Sequence, residues 1–227
     1  MDHVPARCQS CVVRDTALCA SLCDDDLVAL SEIGKRRTVK AGETVTWEGD
    51  ENSLCANVVA GALKLCKTTE DGKEQVVGLL FEGDFLGSPY ASEGEMTAVA
   101  LADTDLCVYP RGQFERVLDA KPKLERALLQ RTLHSLNESR DRQLTLARRG
   151  AKARIAGLLF DIYRASGGTS ITLPMARRDI ADYLGLTIET VSRQFTDLRT
   201  DGIIDSERGS RTIRIVNPGA LQALSED

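Results

Sequence analysis

The 227-residue sequence has no apolar run approaching the roughly twenty residues that a membrane-spanning helix needs. Its N-terminus contains Asp2 and Arg7 but not the apolar core of a signal peptide. We therefore expect a cytoplasmic protein with no membrane partner.

Histidine is scarce, with only His3 and His134 on separate predicted elements. Metal-dependent oxygenases with a cupin barrel need several histidines close together, so this chemistry is excluded. The neighbouring carboxylates Glu93 and Glu95 lie in a glycine-containing loop, which favours solvation over catalysis. The sequence predicts that the chain is not an enzyme.

Basic residues are not in excess, because the net charge is -5. A contact with nucleic acid would therefore depend on a local basic surface. Composition and length predict two modest globular domains. The seven cysteines are an odd number, and a reducing compartment argues against a disulfide framework. Their expected roles are metal binding, redox chemistry or packing in the core.

Glycines punctuate short β-like runs between about residues 40 and 110, a pattern typical of an antiparallel barrel or jelly roll. Asp71-Gly72 is the best hairpin signal among them. The predicted strands are 44–47, 57–60, 62–67, 75–81, 96–101 and 106–109. A short helix over 24–33 precedes them, with Asp24 or Asp25 as its predicted cap.

After Pro110 the pattern changes to helix over about 111–165, interrupted by Pro122 and Gly150. Apolar residues recur there at helical spacing, and a dimer seam is favoured over packing within one domain. Polar residues inside a seam weaken association, which suits a regulated dimer. The predicted seam residues are Leu129, Leu133, Leu136, Arg140 and Leu144.

Residues 177–195 predict two helices joined at Gly185, where glycine permits a tight turn. Thr187 is placed to cap the second helix. A strand over 171–173 is predicted at the start of this second domain. Ile203-Ile204, the charged turn Glu207-Arg208-Gly209 and the alternating strand 211–216 predict a β wing. This is the arrangement of a winged helix-turn-helix, so double-stranded DNA is the predicted partner.

The second helix presents its N-terminal residues where a recognition helix meets base edges. Glu189 can accept from cytosine N4, and Arg193 can donate to guanine O6 and N7. The alternative is a surface ion pair between these two residues at i and i+4. The predicted DNA-binding residues are Thr187, Glu189, Thr190, Ser192 and Arg193.

Cys8, Cys11 and Cys19 crowd the N-terminus, and thiolates bind zinc or iron well. Their spacing differs from that of bacterial ferredoxins. A fourth ligand could be Cys23, which would make a compact structural zinc knot, or the distant Cys107. Spacing alone leaves this choice open.

Residues 177–204, RRDIADYLGLTIETVSRQFTDLRTDGII, resemble the winged helix-turn-helix of the CRP/FNR transcription regulators, and residues 58–87 resemble that family's β-roll. The resemblance covers nearly the whole chain. Its signature Glu-x-x-Ser-Arg, here Glu189, Ser192 and Arg193, is similar to the FNR branch. The CRP branch has Arg where this chain has Ile188. The resemblance implies palindromic DNA with TTGAT-type half-sites and disfavours the TGTGA type.

The cysteine pattern resembles the FNR type of oxygen sensor, in which three N-terminal cysteines and one from the β-roll hold a [4Fe-4S] cluster. The resemblance implies Cys8, Cys11, Cys19 and Cys107 as ligands, and loss of the homodimer and of DNA binding when oxygen destroys the cluster. Leu18 resembles a position that shields the cluster, although an ordinary buried leucine explains it equally well. Nitric oxide as the signal and a purely structural zinc site are the alternatives.

Relatives with this β-roll can instead bind cyclic AMP through a Gly-Glu pair and an arginine. Here Ser88-Pro89-Tyr90 follows Gly87, and no arginine occurs between Lys73 and Arg111. A buried phosphate without a cation is costly, so a cyclic nucleotide is not expected. The resemblance also implies that RNA polymerase contacts the hairpin at Asp71-Gly72, which an ordinary exposed turn explains equally well.

The expected fold class is α+β. It comprises an N-terminal antiparallel β-roll of the jelly-roll or cupin-like kind, a long dimerisation helix and a C-terminal winged helix-turn-helix. The expected domains are a cysteine-rich cluster-binding segment over 1–23, a β-roll sensory domain over 24–110, a dimerisation helix over 111–149 and a DNA-binding domain over 150–227.

Overall fold

The computed structural model describes residues 4–72, 74–207 and 209–226. It divides into two units, the first ending at Asn137 and the second beginning at Glu138. In the first unit the elements are α1 (Ala6–Gln9), a 3₁₀ turn (Leu18–Ser21), α2 (Asp24–Ile33), β1 (Lys35–Val39), β2 (Thr44–Thr46), β3 (Leu54–Ala60), β4 (Leu63–Thr68), β5 (Glu74–Leu80), β6 (Phe85–Leu86), β7 (Thr97–Ala100), β8 (Thr104–Pro110), α3 (Arg111–Ala120) and α4 (Pro122–Arg148), whose last turns belong to the second unit. The remaining elements are α5 (Ala151–Ser166), β9 (Ser170–Thr172), α6 (Arg177–Leu184), α7 (Ile188–Thr200), β10 (Ile204–Asp205), β11 (Thr212–Ile215) and α8 (Pro218–Glu226).

Two antiparallel sheets of four strands build the β-roll of the first unit, in the orders β1-β8-β3-β6 and β2-β7-β4-β5. Alternating side chains from both sheets meet in one core, as the period of a strand requires. This core contains Val39, Val58, Leu63, Ala98 and Leu106. The predicted β-roll is confirmed.

All six predicted strands are present, but β1 and β6 were missed. Strand β1 reads KRRTV, and of its side chains only Val39 is buried. Strand β6 has two residues. Neither shows the apolar alternation by which a strand is recognised in a sequence.

The predicted hairpin joins β4 to β5, whose register runs from Leu63 opposite Leu80 to Thr68 opposite Glu74. Gly72 in its turn has a φ of 78°, in the left-handed region that favours glycine. The hairpin prediction is confirmed.

Helix α2 has the predicted bounds, but the prediction that Asp24 or Asp25 caps it was wrong. Its N-cap is Cys23, and no side chain makes a capping hydrogen bond. Both aspartates lie in the first turn, where their charges still favour the positive end of the helix dipole.

The predicted helical stretch over about 111–165 consists of α3, α4 and α5, with breaks at Pro122 and Gly150 as expected. A second core cluster lies under α3 and the start of α4. It contains Leu18, Leu30, Cys55, Tyr109, Phe114, Leu118 and Leu124. This cluster packs the 3₁₀ turn and α2 against strand β8.

In the second unit, a three-stranded antiparallel sheet of order β10-β11-β9 accompanies α5 to α8. Helices α6 and α7 bury Ile180, Leu184, Val191 and Leu198. The arrangement is the predicted winged helix-turn-helix. None of the helices in the described part of the chain is long and apolar enough to cross a membrane.

Candidate functional site

One cavity in the first unit is lined by the four cysteines Cys8, Cys11, Cys19 and Cys107. Cys23 is not among the residues that line it. The fold therefore brings together the thiols that lie far apart in sequence.

Strand β8 supplies the thiol from the β-roll. Cys107 lies opposite Arg36 on β1 and opposite Asn57 on β3, so it stands in the middle of a sheet. The preceding Leu106 is fully buried in the core between the sheets. Because successive side chains of a strand alternate, Cys107 faces away from that core and towards the N-terminal segment.

The N-terminal segment supplies the other three thiols from short elements. Cys8 lies in α1, Cys11 follows that helix, and Cys19 lies in the 3₁₀ turn. Val13 and Ala17 anchor the segment by packing with Val59 of β3, beside Cys11 and Cys107. These contacts hold the segment over the face of the sheet that carries Cys107.

The remaining cysteines are placed elsewhere. Cys23 is exposed, and its thiol hydrogen-bonds to the carboxylate of Asp26, which helps to lower the pKa of Asp26 after the larger effect of Lys121. Cys55 and Cys66 are buried in the β-roll. Cysteine is among the residue types most often buried in protein cores.

Burial governs the electrostatics of the cavity. It raises the pKa of the Cys19 thiol to about 12, and the nearby Cys107 adds to this increase. Burial also raises the pKa of the Cys107 thiol. Metal binding requires thiolates, so a metal centre here would have to displace protons from these sulfurs.

Three polar residues that sequence reasoning missed contact the sulfurs. The Arg36 guanidinium donates to Cys11 Sγ at 3.2 Å. Asn57 Nδ2 lies 3.9 Å from Cys19 Sγ and donates to the Tyr109 hydroxyl at 3.1 Å. Tyr109 lines the cavity together with Cys19 and Cys107, and hydrogen bonding from its side chain acts to lower the pKa of both thiols against the larger effect of burial.

Two sequence signals could have found part of this set. Asn57 is a polar residue inside the otherwise apolar strand LCANVVA, and buried polar residues need partners. Tyr109 follows Cys107 by two residues on one strand, so both face the same side. Arg36 gave no signal, since its strand reads as a solvated basic stretch.

Leu18 is buried, and it packs in the second core cluster with Leu30 and Phe114. It is not one of the residues that line the cavity; the apolar part of the cavity wall consists of Val13, Ala17, Leu27, Leu30 and Val59. The shielding role predicted for Leu18 stays a prediction, and its position fits an ordinary core leucine.

Residues 4–72, 74–207 and 209–226 contain no group of three or more His, Cys, Asp or Glu side chains arranged to hold a metal ion. The four thiols nevertheless line the same cavity. They are the residues that could hold a larger metal centre.

Helix α4 carries the predicted seam residues on its surface. The exposed fractions of Leu129, Leu133, Leu136 and Leu144 are 58%, 52%, 44% and 57%. Arg140 is also exposed. Such a row of large apolar side chains on one helix is unusual for a surface that stays in water.

The same helix contacts the cysteine segment through Arg131. Its guanidinium donates to the carbonyl oxygen of Thr16 at 2.8 Å and pairs with Asp84 at 3.4 Å. Thr16 lies between Cys11 and Cys19 in sequence. Sequence reasoning missed Arg131, because nothing in the pattern of α4 distinguishes it from a solvated arginine.

Helices α6 and α7 are joined at Gly185, whose φ of 62° is in the left-handed region. The Thr187 side chain accepts a hydrogen bond from the Thr190 backbone amide at 3.2 Å, which confirms the predicted cap. The Arg177 guanidinium lies 3.2 Å from the centroid of the Phe195 ring and ties α6 to α7.

The N-terminal half of α7 exposes Glu189, Ser192 and Arg193, while Thr190 is half-buried. The Glu189 carboxylate accepts hydrogen bonds from its own amide and from the Thr187 hydroxyl, and these lower the pKa of Glu189. Among the described residues Glu189 and Arg193 do not form the ion pair that was the alternative interpretation. The side chains predicted to read DNA thus share one accessible end of a helix.

Beside α7, strands β10 and β11 form the wing, with Ile204 opposite Ile215. The turn predicted at Glu207-Arg208-Gly209 connects them, and Arg208 lies outside the described residues. Ile213 and Ile215 are buried, which fixes the wing to its unit.

Comparison with known families matches both halves of the chain. Residues 36–121 match the cyclic nucleotide-binding domain, and residues 153–224 match the Crp-like helix-turn-helix domain. The first match agrees with the β-roll and the second with the winged helix-turn-helix.

Individual relatives extend over nearly the whole chain. A probable transcriptional activator of Rhizobium leguminosarum bv. viciae is 40% identical over 208 residues, 89% of this chain and 87% of that protein. The transcriptional activator protein FnrL of Cereibacter sphaeroides is 38% identical over 220 residues, 93% of this chain and 88% of that protein.

Among solved structures, FixK2 from Bradyrhizobium japonicum is similar with a TM-score of 0.79 and 31% identity, covering 85% of this chain and 97% of that one. The relatives are transcription regulators, which confirms the prediction that this chain is not an enzyme. The resemblance seen in the sequence is therefore confirmed, and the chain belongs to the Crp/FNR family of transcription regulators.

Proposed function

We propose that this protein is an oxygen-responsive transcriptional activator that acts in the cytoplasm as a homodimer. Cys8, Cys11, Cys19 and Cys107 hold a [4Fe-4S] cluster when oxygen is absent, and the dimer then binds palindromic DNA of the FNR type. The observation that carries this proposal is the convergence of these four thiols on one cavity.

The donor set fits a cluster better than a single zinc ion. One zinc ion needs its sulfur ligands about 2.3 Å from a common centre, whereas a cluster binds each thiolate at its own iron. Four thiols that line one cavity, without a group among the described residues that could hold a single ion, suit the second geometry. The hydrogen-bond donors of Arg36, Asn57 and Tyr109 suit sulfurs that carry negative charge.

A cluster held by Cys8, Cys11, Cys19 and Cys107 would supply the sensitivity to oxygen. Residues of the chain would connect the state of these thiols to helix α4. The Arg131 guanidinium holds the carbonyl oxygen of Thr16, three residues before Cys19. An anchored Cys19 keeps this carbonyl in place, and a released Cys19 removes that restraint. Helix α4 is thereby stabilised when the thiols are held.

The exposed leucines of α4 are the proposed dimer contact, and Arg140 within the row keeps the association weak enough to regulate. A palindromic site binds two recognition helices, which a monomer cannot supply. Loss of dimerisation therefore lowers DNA affinity by mass action.

At each half-site Glu189, Ser192 and Arg193 contact base edges, and Thr187 and Thr190 lie beside the DNA backbone. Activation is supported by the names of the relatives, including FnrL. The exposed hairpin at Asp71-Gly72 is the proposed contact with RNA polymerase.

No cyclic nucleotide is required, although residues 36–121 match that domain. The loop that would hold a cyclic phosphate reads Ser88-Pro89-Tyr90. The nearest following arginine, Arg111, donates to the Ala91 carbonyl oxygen at 3.0 Å and pairs with Glu115 at 3.1 Å. Contacts within the chain thus hold the Arg111 guanidinium.

The proposal is tested by measuring binding to a palindrome of TTGAT half-sites with anaerobically purified protein, before and after exposure to air. We expect tight binding that air abolishes and that reconstitution restores. Equal affinity before and after air would contradict oxygen sensing. A parallel exposure to nitric oxide without air separates the alternative signal, and zinc in place of iron would identify a structural site.

A further inference from the structure

The Asn57 side chain is buried below the cysteine cavity, with 2% of its surface exposed. Its amide nitrogen faces Tyr109 and Cys19, as described above, while its amide oxygen is buried without a hydrogen-bond partner among the described residues. An unpaired buried acceptor costs free energy. The donor end of the amide is therefore the end that faces the Cys19 sulfur.

Tyr109 is the buried neighbour to which Asn57 donates a hydrogen bond. It is 1% exposed, and its ring lies 5.4 Å from that of Phe114, so packing fixes the position of its hydroxyl. The hydroxyl oxygen accepts from Asn57 Nδ2, which directs the hydroxyl proton elsewhere. The sulfurs of Cys19 and Cys107 line the same cavity as Tyr109 and are the acceptors that we assign to this proton.

We propose that Tyr109 and Asn57 are positioning residues that donate hydrogen bonds to the sulfurs of Cys19 and Cys107 and thereby set the reduction potential and the oxygen lifetime of the bound cluster. This inference rests on the proposed function. Hydrogen bonds to the sulfurs stabilise a cluster that carries more negative charge and so raise its reduction potential. A higher potential makes oxidation by oxygen less favourable.

The two residues also link the cysteines of separate elements. Tyr109 reaches one sulfur from the 3₁₀ turn and one from β8, while Asn57 belongs to β3. A single buried donor pair therefore acts on two ligands at once. Neither residue adds a charge to the cavity, so its effect is confined to hydrogen bonding.

The test uses Tyr109→Phe, which deletes one oxygen and keeps the ring in the core. Tyr90→Phe is the matched control, because its hydroxyl donates to Asp119 at 2.7 Å on the surface of the same unit. Asn57→Leu is a second variant of similar size that removes the amide donor without adding a charge. Each is purified without air for potentiometry, iron and sulfide analysis, and the rate of bleaching in air.

We expect Tyr109→Phe to retain iron and sulfide, to shift the midpoint potential to a more negative value and to bleach about tenfold faster, the lower end of what loss of an outer-shell partner costs at metal sites. Asn57→Leu should change both in the same direction, and Tyr90→Phe should match the unmodified protein. A merely structural role for Tyr109 would lower the melting temperature without moving the potential, and would overturn the inference.

The outcomes separate this inference from the function on which it rests. If the unmodified protein assembles a cluster and Tyr109→Phe has an unchanged potential and lifetime, only the inference fails. If the unmodified protein binds no iron and sulfide, both fail. An equal shift in Tyr90→Phe also overturns the inference.

Discussion

Replacing Leu133 by alanine tests whether the exposed face of α4 joins two copies of the chain. Leu133 is 52% exposed, so about half of its side chain is available for burial at a seam. Complete burial of a leucine contributes about 1.5 to 3 kcal/mol, and half of that is about 1 kcal/mol. Each dimer contains two copies, which makes the expected loss about 2 kcal/mol, or about 30-fold in the dimer dissociation constant.

Sedimentation of the anaerobic protein over a range of concentrations measures this constant. Leu128→Ala is the matched control, because Leu128 lies on the same helix but packs against the second core cluster. Leu133→Ala should weaken the dimer with little change in monomer unfolding, as expected for a surface position. Leu128→Ala should instead lower the stability of the monomer by at least about 1 kcal/mol. An unchanged dimer constant in Leu133→Ala would refute the seam.

Two further predictions concern the DNA contact and the link to the cysteine segment. Arg193→Ala should cost about 1 to 3 kcal/mol and relax the preference at the contacted guanine; in a binding assay with substituted half-sites, a uniform loss on all sequences would indicate a phosphate contact instead. Arg131→Gln should keep iron and sulfide but reduce the difference in dimer affinity between anaerobic and air-exposed protein about fivefold, since each of the two chains loses an exposed hydrogen bond of about 0.5 kcal/mol. The exposed Arg116→Gln serves as its control, and an unchanged difference in Arg131→Gln would exclude this route.

Elements with a clear local pattern could be predicted from the sequence. Helix α2, the hairpin at Gly72 and the helix pair around Gly185 all depend on residues near one another in the chain. The resemblance to a family also predicted that Cys8 and the distant Cys107 belong to the same site. Spacing alone could not have chosen between Cys107 and Cys23, since the choice depends on how the N-terminal segment lies on the sheet.

Contacts between distant segments could not be predicted. Strand β1 carries mostly polar side chains, and its pairing with β8 is a tertiary effect. The contact of Arg131 with Thr16 joins residues 115 positions apart. The cap of α2 was predicted wrongly for a local reason. The chain enters that helix from the 3₁₀ turn with Cys23 in the cap position.

The most direct test of the central claim is the visible absorption, iron and sulfide content of the protein purified without air, compared with Cys107→Ser and Cys23→Ser. We predict a coloured protein with the iron and sulfide of one [4Fe-4S] cluster per chain. Cys107→Ser should lose the cluster and Cys23→Ser should keep it. A colourless protein that contains zinc, or loss of the cluster only in Cys23→Ser, would contradict the account.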